Sequence, residues 1–270
     1  MHEKPIEIQT ANGVADGLLI EPEEDGRWPG ILYLTDIFGI RDASRGMASR
    51  LAAEGYAVLL PNLFYRNGRP PIFNFPFRIG DEHVMARMSE IRGPLTPEAM
   101  DRDVAAYVDF LVGQPGVRAK ACGAVGFCFS GQMALRAAAV RPEQVAACAS
   151  FHGGGLYTGT PASPHTLLPR VKARLYFGHG TEDRSMPLEA IENLERALAA
   201  WDGSYESEVY PAHHGWTVPD NPSYNDPQAE RAYRKLTDRF SATLKRNGTP
   251  ACTTNAGCDD HIFGRSIDSQ

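Results

Sequence analysis

The chain has 270 residues, room for one or two domains with a sizeable core. With 43% hydrophobic and 22% charged residues it has the composition of an ordinary globular protein, which excludes a disordered, collagen-like or disulfide-scaffold chain. Its 27 basic and 33 acidic residues give a net charge of −6, and the basic residues are scattered singly, so no nucleic-acid backbone footprint is expected. There is no run of about 18 apolar residues, so no membrane span is expected. The N-terminus, MHEKPIEIQT, lacks the apolar core and small-residue cleavage site of a secretory signal. Five scattered cysteines make no disulfide framework, and a reducing, cytoplasmic setting follows.

In chain order, two short extended pieces at 6–9 and 15–20 flank Asn12-Gly13, the turn pair of a tight hairpin. They predict antiparallel strands at the edge of a sheet. The apolar run 31–34 reads as a buried strand. Residues 42–54 have helical spacing, with Gly55 at the stop position, and a second buried strand at 56–60 is halted by Pro61. Residues 64–95, rich in Pro, Phe, Arg and Gly, show no period and predict an irregular, cap-like excursion. Further on, helices are predicted at 97–112, 131–139, 188–201 and 228–244, and strands at 124–127, 145–151, 173–177 and 206–210. Strands separated by helices of this length predict a mostly parallel sheet covered by helices on both faces. One domain is expected over residues 1–245, followed by a small, polar, mobile tail at 246–270.

The most informative stretch is Gly126-Phe127-Cys128-Phe129-Ser130-Gly131, where an apolar strand runs directly into a helix. A nucleophile at such an elbow needs small residues around it, because the turn is too tight for side chains. Its reactive atom then stands at a helix N-terminus, which favours a thiolate and supplies backbone N–H donors to an oxyanion. Cys128 is therefore the expected nucleophile rather than a merely buried cysteine. A nucleophile needs a base, and the base an orienting group. The strand-like 175–180 enters a loop with Glu182 and Asp183, and the later strand ends in Ala212-His213-His214-Gly215-Trp216. Asp183 is the expected orienter, with Glu182 as competitor. His214, beside Gly215, is preferred to His213 as base. Nucleophile, acid and base in this order match the α/β-hydrolases.

These segments, together with Thr35-Asp36-Ile37-Phe38-Gly39-Ile40 and Leu60-Pro61-Asn62-Leu63-Phe64, resemble the dienelactone hydrolase (carboxymethylenebutenolidase) family over about residues 6–246. A cysteine at the elbow is the specific part of the match. The resemblance implies an α/β-hydrolase fold and a Cys128–His214–Asp183 triad that needs no metal or cofactor. The substrate it implies is a small ester or lactone. It implies an active-site role for Asp36, one methylene shorter than the family's usual Glu, and backbone N–H donors at Ile37 and Phe129. The family's arginine a few residues after the histidine is missing, since Trp216-Thr217-Val218-Pro219 follows here. Arg78, Arg87 or Arg92 are the candidates to replace its charge, and Phe38, Arg87, His152 and Trp216 are the expected pocket residues, with a structural histidine hydrogen-bonded in its loop as the other, preferred reading of His152.

Two alternatives share this sequence: a broad short-chain esterase or thioesterase with the same triad, and a silent scaffold that only binds a small ligand. Monomer and dimer are equally open. Gly153, Gly154 and Gly155 follow a strand but lack dinucleotide-binding spacing. Cys252, Cys258 and His261 are too loosely spaced to predict a zinc site.

Overall fold

The structure is a computed structural model that describes residues 1–75 and 80–245. The predicted tail at 246–270, with Cys252, Cys258 and His261, and the candidate Arg78 lie outside the described residues.

Two strands, β1 (His2–Thr10) and β2 (Gly13–Glu21), form the expected antiparallel hairpin, with Thr10 opposite Gly13. Then come β3 (Trp28–Leu34), helix α1 (Asp42–Ala53) and β4 (Ala57–Pro61). Helices α2 (Glu82–Arg92) and α3 (Pro97–Val112) precede β5 (Val117–Phe127), α4 (Gly131–Val140) and β6 (Val145–Phe151). The chain continues through β7 (Arg174–Glu182), α5 (Leu188–Trp201), β8 (Tyr205–His213) and α6 (Asp226–Phe240). The eight strands form one sheet in the order β1-β2-β4-β3-β5-β6-β7-β8. β1, β2 and β4 pair antiparallel, and every pair from β4 through β8 is parallel.

Alternation along each strand builds the two faces. In β3, Leu32 and Leu34 face α3, α4 and α5, while Ile31 and Tyr33 face α1 and α6. Phe177 on the first face and Phe151 on the second are essentially inaccessible to solvent. Truncating aromatic side chains so buried typically costs about 3–5 kcal/mol. The helices start where their caps dictate: Thr96 accepts the Ala99 N–H at 3.2 Å ahead of Pro97, and Asn225 accepts the Gln228 N–H at 3.3 Å.

One expectation is corrected. The segment 64–95 contains the regular helix α2, which sequence periodicity misses because only Val84 and Ile91 of its eleven residues are buried. With so narrow an apolar stripe, its amphipathic signal is weak.

Parallel strands bring their carboxyl ends to one side, where sites form in open α/β sheets. The register fixes who meets whom there. Leu34 pairs with Gly126, Phe127 with Phe151, Phe151 with Gly178 and Glu182 with His213. The residues just beyond these pairs, Cys128, His152, Asp183 and His214, are therefore neighbours.

Candidate active site

After Phe127 the chain makes one short turn, Cys128–Ser130, and enters α4. Cys128 sits at φ 59°, in the left-handed region that non-glycine residues seldom occupy outside strained functional sites. The glycines explain how the turn closes. A Cβ on Gly126 would lie 2.2 Å from the Ser130 carbonyl oxygen, and one on Gly131 would lie 2.2 Å from Ser150 Oγ. Ser130 Oγ accepts the Phe127 N–H at 2.9 Å and lies 2.9 Å from the Leu34 carbonyl oxygen, its acceptor on β3. As the second residue of this turn, Phe129 has an N–H with no intrahelical acceptor. The Ile37 N–H, in the loop after β3, makes no hydrogen bond among the described residues.

His214 Nδ1 lies 2.7 Å from Asp183 Oδ2. The other Asp183 oxygen accepts the Ser185 N–H at 2.8 Å and the Ser185 hydroxyl at 2.5 Å. With Nδ1 turned to the carboxylate, Nε2 is the nitrogen left to face the cavity that Cys128 also lines. His213 points elsewhere, its Nδ1 3.4 Å from the exposed Glu182. The two competitors from the sequence are thus paired with each other on the outside.

Burial disfavours a charged His214, but its hydrogen bonds to Asp183 and Cys128 outweigh that and raise the imidazole to about 10. For Asp183, burial pushes upward, yet the hydrogen bonds from His214 and Ser185 hold its carboxyl below the ordinary range. Titration of the His214 ring by NMR is expected to give a value near 10, falling toward the ordinary imidazole value of 6.5 in Cys128→Ala, where the sulfur partner is gone.

His152 is fully buried at φ 40°. Its Nδ1 accepts the Cys128 N–H at 3.0 Å, its Nε2 lies 2.8 Å from Thr217 Oγ1, and its own N–H donates to the Gly178 carbonyl at 2.8 Å. Burial, and then the neighbouring charge of His214, push its titration well below the usual imidazole range.

Asp36 is occupied differently from what the resemblance implies. Its Oδ1 accepts the Phe38 N–H at 3.0 Å and Arg41 Nη1 at 2.7 Å, and its Oδ2 accepts Arg41 Nη2 at 2.9 Å. Arg41 in turn donates Nε and Nη2 to Asp220 at 2.7 and 2.8 Å. No hydrogen bond joins Asp36 to Cys128 among the described residues. The shorter side chain is held by a guanidinium sandwiched between two carboxylates.

A cavity of about 590 Å³ opens over the elbow. Cys128, His214, His152, Asp36, Ile37, Phe38 and Phe129 form its floor, and α2 supplies Met85, Met88 and Arg92 as its roof. Two expected pocket residues lie elsewhere. Arg87, which the sequence suggested for the pocket, turns its guanidinium to the Ile72 carbonyl at 3.3 Å and to Glu90 at 2.8 Å. Arg92, five residues on, is the arginine that reaches the cavity, and it forms no ion pair among the described residues. Trp216 is a core residue, stacked on Tyr210 with centroids 5.0 Å apart and edge-on to His152 at 5.1 Å. Among the described residues no three His, Cys, Asp or Glu side chains gather to hold a metal ion, and no helix is long and apolar enough to cross a membrane.

A mostly parallel eight-stranded sheet, with an elbow after β5, an acid after β7 and a histidine after β8, defines an α/β-hydrolase. The sequence profile of the dienelactone hydrolase family matches residues 15–244, and the chain belongs to that family. It is a hydrolase. The carboxymethylenebutenolidase of Rhodococcus opacus is 31% identical over 206 residues, covering 74% of this chain and 76% of its own. A Synechocystis protein provisionally named a carboxymethylenebutenolidase is 29% identical over 244 residues, 89% of this chain and 96% of its own. Among solved structures, a dienelactone hydrolase-like promiscuous phosphotriesterase from metagenomic libraries superposes with a TM-score of 0.75 at 22% identity, covering 90% of this chain and 98% of its own. That last likeness shows the fold alone.

Proposed function

We propose that this hydrolase cleaves a small ester or lactone by acyl transfer through Cys128, with His214 and Asp183 completing the triad, in one domain spanning residues 1–245. The observation that carries this reading is the 2.7 Å hydrogen bond between Asp183 and His214, with His214 lining the same cavity as Cys128 and the Cys128 side chain helping to raise its titration. The Cys128 sulfur adds to the carbonyl carbon as its proton passes to His214 Nε2. The tetrahedral oxyanion accepts the Ile37 and Phe129 N–H groups, and one such donor is worth about 2.7–4 kcal/mol in comparable sites. The C–O bond then breaks, and the leaving oxygen takes the proton from His214 Nε2, leaving a thioester and a neutral imidazole. That imidazole next removes a proton from water as the water attacks the thioester. The C–S bond breaks, the acid departs, and His214 again holds the proton beside the freed sulfur.

Because the imidazolium must protonate the leaving group, kcat/KM is expected to fall on the alkaline side near pH 10, where His214 loses its proton. The test of the whole reading is acid quenching during turnover of a p-nitrophenyl ester and, separately, of a dienelactone, followed by peptide mass spectrometry. An acyl adduct on the Cys128 peptide is the expected result. Steady turnover with no adduct on that peptide, even when the second step is slowed by low temperature, would remove Cys128 from the mechanism. The apolar wall of Met85, Met88 and Leu95 suits a neutral ester, while Arg92 suits the carboxylate of a dienelactone, and the two substrates separate these cases.

A further inference from the structure

One buried titratable side chain outside the proposed triad, His152, bonds directly to the nucleophile residue, and acyl transfer does not use it. We propose that His152 is a positioning residue: by accepting the Cys128 backbone N–H it holds the nucleophile in its strained orientation, and Thr217 fixes the ring tautomer this requires. The inference rests on the reading of Cys128 as nucleophile.

The hydrogen bonds determine the tautomer. A backbone N–H can only donate, so Nδ1, 3.0 Å from it, must be the lone-pair nitrogen. Nε2 therefore carries the hydrogen and donates it to Thr217 Oγ1 at 2.8 Å. Both ring nitrogens are thus committed, which leaves His152 no proton to exchange with substrate. The Cys128 carbonyl is also taken, accepting the Gly154 N–H at 3.2 Å. Both peptide groups of Cys128 are gripped by the 152–154 segment, and that segment is pinned to β7 through the His152 N–H and the Gly178 carbonyl. Two residues with positive φ, Cys128 and His152, support each other.

The ring's surroundings favour a neutral holder over an acid or base. His214 stands edge-on at 5.1 Å between centroids, Trp216 edge-on at 5.1 Å, and Phe127 at 6.1 Å. A charge on His152 would stand 5.1 Å from the His214 ring, whose own titration is raised. A consequence follows for the oxyanion. The Cys128 N–H is spent on His152, so the hole must be formed by Ile37 and Phe129.

Three variants test the proposal. His152→Ala removes the acceptor. His152→Asn offers Oδ1 near the place of Nδ1 and tolerates positive φ. Thr217→Val keeps the side-chain shape but leaves Nε2–H unpaired, freeing the ring to turn Nδ1–H against the Cys128 N–H. Each is assayed for ester turnover across the neutral and alkaline range, for iodoacetamide alkylation of Cys128, and for melting temperature. In His152→Ala, kcat is expected to fall by about 10- to 100-fold, since small misplacements of reacting groups cost that much. Alkylation should slow in parallel, while KM and the alkaline limb stay put because His214 and Asp183 are untouched. His152→Asn should recover most of the loss, and Thr217→Val should fall between. Unchanged kcat and alkylation in His152→Ala would overturn the proposal. So would an Asn variant as impaired as the Ala variant with the same drop in melting temperature, which marks packing alone. If the Ala variant does not fold, Thr217→Val decides: slowed turnover and alkylation support the proposal, wild-type values overturn it. Should Cys128→Ala retain wild-type turnover, the acyl-transfer reading falls, whereas the alkylation rates still report on the hold of His152 over Cys128.

Discussion

Cys128→Ala is expected to hydrolyse esters on the order of 10⁵–10⁶-fold more slowly than the wild type, the scale seen when an acyl-transfer nucleophile is removed. The fold should tolerate the change. Alanine at φ 59° is no more strained than cysteine, and the elbow is held by contacts that do not involve the sulfur: Ser130 to Phe127 and β3, and the 152–154 segment to the Cys128 peptide groups. Circular dichroism and melting temperature should therefore stay close to wild type while turnover collapses. Background rate above that of water is expected to survive, because the N–H donors and the cavity remain. Full activity in this variant would refute the nucleophile, and a collapse of both activity and melting temperature would make the sulfur a structural group.

Asp183→Asn is expected to lower kcat by about 10³–10⁴-fold, because an amide facing Nδ1 stabilises the wrong imidazole tautomer. The carboxylate is nearly inaccessible and holds three hydrogen bonds, two from Ser185 and one from His214. Losing its charge also removes a main reason for the raised His214 titration, so the alkaline limb should move down from near pH 10 in whatever activity remains. Stability follows the same groups with opposite signs. Asp183 titrates below its ordinary 3.8 in the fold, so its contribution is present above that value and is lost as pH falls through the lowered one. His214 titrates above its ordinary 6.5, so its contribution is complete below that value and is lost as pH rises through about 10. Both act in full between 3.8 and 6.5. Melting temperature against pH for the wild type and Asp183→Asn should diverge most in that window. Parallel curves would mean that the Asp183–His214 pair does not stabilise the fold.

The elbow was legible in the sequence because its physics is local. Gly126 and Gly131 flank a cysteine between an apolar run and a helical pattern, and the absence of Cβ atoms there is a direct sign of close approach. The strands of the sheet were legible for the same reason, as short apolar runs ended by glycine or proline. What escaped depends on partners far apart in the chain. Arg41 lies only five residues from Asp36, but what completes the sandwich is Asp220, 179 residues further on, and no local pattern announces that partner. The role of His152 is set by register, since Phe127 pairs with Phe151, and register is not written in residue types. Trp216 follows the base in sequence, yet Gly215, at φ 89°, turns the chain so that the indole enters the core and not the cavity. The roof helix α2 escaped because it lies on the molecule's surface with little to bury, so the arginine that reaches the cavity could not be told from its neighbours.

The order of the strands has a consequence for the newborn chain. Cys128 ends β5 in the middle of the sheet, whereas the acid and the base hang from β7 and from β8 at the far edge. Synthesis proceeds from the N-terminus, so the sulfur leaves the ribosome well before Asp183 and longer still before His214. Throughout that interval Cys128 has neither His214 nor Asp183 nearby. Under the proposed acyl transfer, the nucleophile is made first and meets its base last, when the edge strand docks, so a half-built protein lacks the completed site.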